Sequence, residues 1–273
     1  ILAWVDQGAP EGDPALAPAA VEFNDALVWR LENQMGSPPD LVVASEPYDL
    51  AAVTQDKWFR PMTPTGLTEE RWVKAIEIRP KNDASRRVVH HSLAFLLQQE
   101  DGKRGLPEDV DVPFGPSLFM EWAVGKAGQI FRPDTGKLMM PGSQIMWEMH
   151  LHANGERVPE AQVELGVCFH DEPPEHRTIL SMFDAQGPHS LDIPPNEIAV
   201  TQGTFVLSAP ARIENFQPHM HMRGKAMSME AIYPNGEREM LSFVDNFQWN
   251  WQINYVYEEE AAPIVPKGTM IVT

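Results

Sequence analysis

The chain of 273 residues has one cysteine, Cys168, so no disulfide can form within it. A lone thiol hints at a reducing compartment but does not exclude an oxidising one, because many bacterial periplasmic proteins lack disulfides. Also missing is any run of the ~18–20 apolar residues that a membrane-spanning helix needs. Positive charge is scarce, with 21 Lys and Arg against 39 Asp and Glu and a net charge of −18. Such a surface repels phosphate, which argues against nucleic acid and anionic membranes as partners. No Cys-x-x-Cys-His run is present, so no haem is attached here. There is no initial Met and no visible signal peptide, and residues 267–273 read as a turn opening a strand that stops. The sequence is therefore expected to be a piece of a longer chain.

Turn-forming residues are abundant. Gly and Pro number 18 and 25, about 16% together against ~12% usually. That favours short strands and many turns over a helical bundle. A hydrophobic content of 43% with eight Trp and twelve Phe excludes a disordered chain. At ~150 residues per domain the length suggests two domains.

Residues 1–40 differ from the rest. Ile1 to Val5 reads as the end of a helix, and Gly8, Pro10, Gly12, Pro14 and Pro18 then interrupt regular structure. Phe23, Leu27, Val28 and Leu31 suggest a short helix before Pro38-Pro39. This stretch reads as a helical and coil linker. From Leu41 the pattern turns to period two. Trp72 to Arg79, Val88 to Leu97, Ile145 to His152, Gln162 to Phe169, Ala226 to Tyr233 and Trp249 to Tyr257 read as strands. Strands without alternating helices predict an all-β fold of two antiparallel β-sandwich domains. The best break lies at residues 171–176, which predicts domains over 41–175 and 176–273.

All nine His lie between residues 90 and 221, and six form three clusters: His90-His91, His150-Leu151-His152 and His219-Met220-His221. On a strand, residues i and i+2 share a face, so His219 and His221 are set to chelate one metal. Imidazole suits copper, zinc, nickel and iron. In the 145–152 strand Ile145, Trp147, Met149 and Leu151 form the core side, leaving Met146, Glu148, His150 and His152 on the other. Either His150 or His152 is a candidate ligand. Adjacent His90 and His91 point opposite ways on a flat strand and share a metal only where the strand is twisted or bulged.

The segments Val88-Val89-His90-His91-Ser92-Leu93, Glu148-Met149-His150 and Pro218-His219-Met220-His221-Met222-Arg223-Gly224-Lys225 occur in that order. Over residues 41–273 the chain thereby resembles the copper type II, ascorbate-dependent monooxygenases of the peptidylglycine α-hydroxylating and dopamine β-monooxygenase kind. Asn250-Trp251-Gln252 and Pro266-Lys267-Gly268-Thr269 are similar to bacterial members. The resemblance implies two jelly-roll-like sandwiches, each carrying one copper. It implies His90, His91 and His150 at an electron-transfer copper, with His152 the alternative to His150. It implies His219 and His221 as the catalytic ligands at the copper where O2 reacts, joined by a Met several strands further on. That Met is expected beyond residue 273, Met270 being the nearest here, while Met220, Met222, Met227 and Met229 read as strand residues packing on the core. The implied reaction hydroxylates a C–H bond of a small-molecule substrate. The electron donor would be ascorbate or a c-type cytochrome domain, to whose last helix residues 1–13 are similar. A periplasmic or extracellular location follows from the same likeness.

Three other readings stay open. One is a non-catalytic copper-binding or electron-transfer sandwich. Another is a zinc hydrolase, for which Glu148 is the candidate base. The third is a plain binding domain with incidental histidines. Glu148 is also a candidate acceptor for an imidazole N–H, Arg223 and Lys225 for attracting an anion, and Trp249 and Trp251 for a pocket or the core. Cys168 reads as buried and inert, and His170, His176 and His189 carry no assigned role.

Overall fold

A computed structural model describes residues 1–13, 16, 27–100, 117–181, 193–249 and 253–273. The protein is all-β, with several antiparallel sheets and three short helices among the described residues.

Two long strands are buried at most of their positions, on both faces: β5 (Arg71–Pro80) and β12 (Val163–Phe169). Strands covered on both faces read this way, and these two lie side by side within one sheet. Its order is β1 (Leu41–Ala44), β12, β5, β9 (Thr135–Met139) and β13 (His176–Arg177), with β8 (Gln129–Ile130) also pairing β5. The sheet thus runs slightly past residue 175. The second sheet places β3 (Lys57–Phe59), β10 (Gln144–Leu151), β6 (Val89–Leu97) and β7 (Ser117–Ala123) in that order, with β4 (Met62–Pro64) also on β10. A side pair joins β2 (Tyr48–Leu50) to β11 (Val158–Ala161). One hydrophobic cluster holds Val73, Ile76, Ile78, Leu165 and Val167 from the first sheet and Ala94, Leu96, Ile145, Trp147, Met149 and Leu151 from the second. The two sheets therefore pack face to face as a sandwich.

The later residues build a separate core from Phe216, Met229, Ala231 and Ile271. Its sheet runs β14 (Thr204–Val206), β21 (Met270–Val272), β17 (Met227–Ile232) and β18 (Arg238–Val244). Two short pairs flank it: β15 (Ala211–Arg212) with β20 (Ile264–Val265), and β16 (Asn215–Phe216) with β19 (Tyr255–Val256). The β17–β18 hairpin turns at Pro234-Asn235-Gly236, where Gly236 has φ 88° and donates its N–H to the Tyr233 carbonyl at 2.9 Å. That left-handed backbone suits glycine.

Polar side chains tie the two groups of sheets together. Arg132 pairs with Glu214 and donates to the Tyr257 carbonyl at 2.7 Å. Arg212 reaches Asp134 at 3.2 Å, and Gln217 Nε2 donates to Glu121 Oε1 at 2.6 Å.

Three expectations need correction. Among the described residues of the strand read over 249–257, only Tyr255–Val256 is a strand and Trp249 is 53% exposed; residues 250–252 lie outside the described set. The stretch read as a linker is packed at its far end. Trp29 and Leu31 are buried, and the N–H of Leu31 donates to Glu77 Oε2 at 2.9 Å. The helix there is Arg30–Met35, one turn later than the spacing suggests; residues 17–26 lie outside the described set. Finally, Met222 is 73% exposed and does not pack on a core, although Met229 does. No helix among the described residues is long and apolar enough to cross a membrane.

Candidate metal centre

The site begins with a phase error in β6. Val89 is buried and pairs with Leu151, while His91 pairs with His150, so His90 is an extra residue in a β-bulge. Beyond it Ser92, Ala94 and Leu96 are buried. The bulge thus resets the alternation so that two consecutive residues, His90 and His91, stand on the outer face. Across the ladder β10 alternates without a break. Ile145, Trp147, Met149 and Leu151 are fully buried, and Glu148 and His150 point outward.

The bulge and the pairing bring His90, His91 and His150 together, their ligand nitrogens all within 4.8 Å of one another. The ring centroids lie 4.9 to 5.5 Å apart. Nitrogens that bind one tetrahedral metal at ~2.1 Å lie ~3.4 Å apart, so closing on an ion needs an adjustment of up to about 1.4 Å in any pair. Burial pushes the His91 imidazole below its usual pKa, and the neighbouring His150 and His90 add to this. Both effects favour the neutral ring, the form that binds metal.

The structure separates His150 from His152. The Nε2 of His150 and the Nδ1 of His152 bond opposite oxygens of one carboxylate, Asp56, at 2.8 and 2.7 Å. The bonds from His152 and then His150 hold the Asp56 carboxyl below its usual range. The Nδ1 of His150 is buried and has no hydrogen-bond partner among the described residues. An orphaned buried acceptor is costly, and a metal ion would use its lone pair. The donor set thus fits a metal, though three imidazoles do not choose between copper and zinc.

Asp56 and Trp58 carry no signal in the sequence. Both come from β3 and the residue before it, and β3 pairs with β10 so that Trp58 lies opposite His150. The indole stacks flat on the His150 ring, with centroids 4.4 Å apart and planes 1° apart, and meets His91 edge-on at 5.3 Å. Glu148 does not take the expected place as imidazole acceptor. It accepts from Arg60 Nε at 2.6 Å, and Asp56 holds the imidazole instead.

His219 and His221 come together by another route. They lie outside any strand, in a loop between β16 and β17. Pro218 has no N–H for a ladder, and the loop closes in a turn where Gly224 N–H donates to the His221 carbonyl at 2.9 Å. Both rings are exposed, and their Nε2 atoms are 3.3 Å apart. Two imidazoles on one tetrahedral metal have nearly that spacing, ~3.4 Å. Met270 is fixed in β21, opposite Val206 and Ile232. One half-buried carboxylate, Glu121, lies in the field of both clusters. Burial works to raise Glu121, but Lys126, Gln217 and the field of His219 outweigh it and hold the carboxyl low, and Glu121 in turn acts on His91.

The remaining candidates stand apart. His170 Nε2 bonds the Thr135 carbonyl at 2.9 Å, a link within the fold. His176 is exposed beside Glu175, and His189 and Trp251 lie outside the described residues. Cys168 is buried, and desolvation raises its thiol pKa, as expected of an inert cysteine. Arg223 and Lys225 are exposed. Compared with models of known protein families and with curated protein sequences, the chain finds no match in either.

Proposed function

We propose that this protein is a two-copper monooxygenase module of the ascorbate-dependent type, acting on a C–H bond of a small molecule. The observation that carries the reading is the set of three imidazoles on two paired strands, with an unpartnered Nδ1 among them, beside a second and separate imidazole pair. His90, His91 and His150 would hold the electron-transfer copper, and His219 and His221 the copper that meets O2. When bound, copper at these positions would supply one-electron redox chemistry and activate O2. The overall change consumes R–H, O2, two electrons and two protons and yields R–OH and water. Ascorbate or a c-type cytochrome would supply the electrons, which suits a periplasmic or extracellular setting.

The chain's own residues contribute position and shielding. Trp58 covers one face of His150 and the edge of His91. His219 and His221 are exposed and hold their Nε2 atoms 3.3 Å from one another. The link from Gln217 to Glu121 ties the His219 loop to β7, the neighbour of β6. The zinc-hydrolase reading is less supported, because its candidate base Glu148 shares one carboxylate oxygen with Arg60.

A non-catalytic copper carrier is the second reading. It needs only one copper, and the group of His90, His91 and His150 by itself supplies three donors for it. Elemental analysis after loading with copper and zinc in competition tests both readings, run on wild type, His91→Ala and His219→Ala. Two coppers, each variant losing a different one, together with O2 consumption under ascorbate, are the expected result. A single metal, or zinc retained over copper, would overturn the monooxygenase reading.

A further inference from the structure

We infer that Asp56 is a positioning residue for the three-histidine centre: its carboxylate holds the proton on Nε2 of His150 and leaves Nδ1 as the free lone pair. The inference rests on the reading of His90, His91 and His150 as metal ligands.

A neutral imidazole carries one N–H, and the bond made by one nitrogen decides which atom has it. Nε2 of His150 lies 2.8 Å from Asp56 Oδ2. An ionised carboxylate only accepts hydrogen bonds, so Nε2 must be the donor. Nδ1 is then an unprotonated acceptor, and it is the buried atom that no group of the described residues satisfies. A metal-binding histidine commonly gives its second N–H to a carboxylate, which fixes the tautomer and raises ligand basicity.

Two further contacts hold this arrangement. His152 Nδ1 bonds the other carboxylate oxygen at 2.7 Å, so both oxygens of Asp56 are engaged and the carboxylate cannot swing freely. The flat stack of Trp58 opposes rotation of the His150 ring. His152 is thereby given a role as the anchor of Asp56, distinct from that of a ligand. The pairing of β3 with β10 makes this possible, since it sets residue 58 opposite residue 150 and the loop before β3 against the end of β10.

The test uses a readout that needs no metal. Long-range ¹⁵N–¹H correlation spectra of the metal-free protein report which nitrogen of His150 is protonated, with signals assigned against His150→Gln. Wild type is expected to show the Nε2–H form, and Asp56→Ala a mixture or the Nδ1–H form. Copper affinity, measured by chelator competition, is expected to fall ~10–100-fold in Asp56→Ala and less in His152→Ala. Asp56 is 43% exposed, so both variants are expected to keep the wild-type circular dichroism and melting temperature.

The inference is overturned if His150 of the wild type carries its proton on Nδ1. It is also overturned if Asp56→Ala keeps the wild-type tautomer and a copper affinity within about twofold of wild type. A wild type that takes up no copper would sink the metal reading alone. The tautomer comparison then decides by itself whether Asp56 places the proton.

Discussion

Deleting His90 tests how the centre is built. Val89 pairs with Leu151 and His91 with His150, so His90 faces no residue across the ladder. Its removal joins Val89 to His91, and regular alternation then keeps Val89 in the core and His91 outside. No core side chain changes face. The expected loss is about 1 kcal/mol or less, or ~2–4 °C in melting temperature for a unit of this size. Deleting Ser92 provides the contrast. If the ladder closes over that gap, His91 enters the fully buried place of Ser92. Forcing an imidazole into a serine-sized space costs ~1–3 kcal/mol in overpacking, and an unpaired buried nitrogen a similar ~1–3 kcal/mol. The Ser92 deletion is thus expected to lose ~2–6 kcal/mol. Urea unfolding followed by tryptophan fluorescence measures both. Copper titration should show that the His90 deletion and His90→Ala lose the three-histidine site alike, since each leaves two imidazoles. The reasoning is refuted if the His90 deletion costs as much as the Ser92 deletion, or if it retains wild-type copper affinity.

Two other expectations follow from buried side chains. Desolvation, helped by the charge of Lys126, pushes the Lys137 ammonium down from 10.5 to about 8, although its Nζ donates to the Phe119 carbonyl. Between those values the unfolded chain binds the proton and the folded chain does not. Stability from this group therefore rises with pH across that window, is complete above the unfolded value and stays lost below about 8, a change of at most ~3 kcal/mol. Urea midpoints at pH 7.5 and 10 should shift in wild type more than in Lys137→Met, and equal shifts would contradict the assignment. Trp147 is fully buried between the sheets and donates Nε1–H to Thr63 at 3.2 Å. Trp147→Ala is expected to lose ~3–5 kcal/mol by the same unfolding assay, and a loss under about 1 kcal/mol would show that the core there is loosely packed.

Short-range chemistry explains what was legible early. The alternation of Ile145, Trp147, Met149 and Leu151 marks the core face of β10 because side chains on a strand have period two, and all four are fully buried. The Pro-Asn-Gly turn before β18 is a local preference of the backbone. The His219-Met220-His221 pair was read on a strand, and it comes together in a loop instead. Two imidazoles two residues apart meet in either setting, so the pairing of their Nε2 atoms survived an error about the backbone.

The rest depended on partners far along the chain. Asp56 lies 94 residues from His150, and nothing in its own neighbours marks it. Glu148 stands on the right face of the right strand but meets Arg60, from the link between β3 and β4, and not an imidazole. The sequence alone determined an all-β chain whose histidines gather in three clusters, because composition and alternation act within a few residues. Only the tertiary structure decided which histidines meet and which carboxylate holds them. Those contacts are set by strand order and by the single extra residue at His90, and register across a sheet has no local signature.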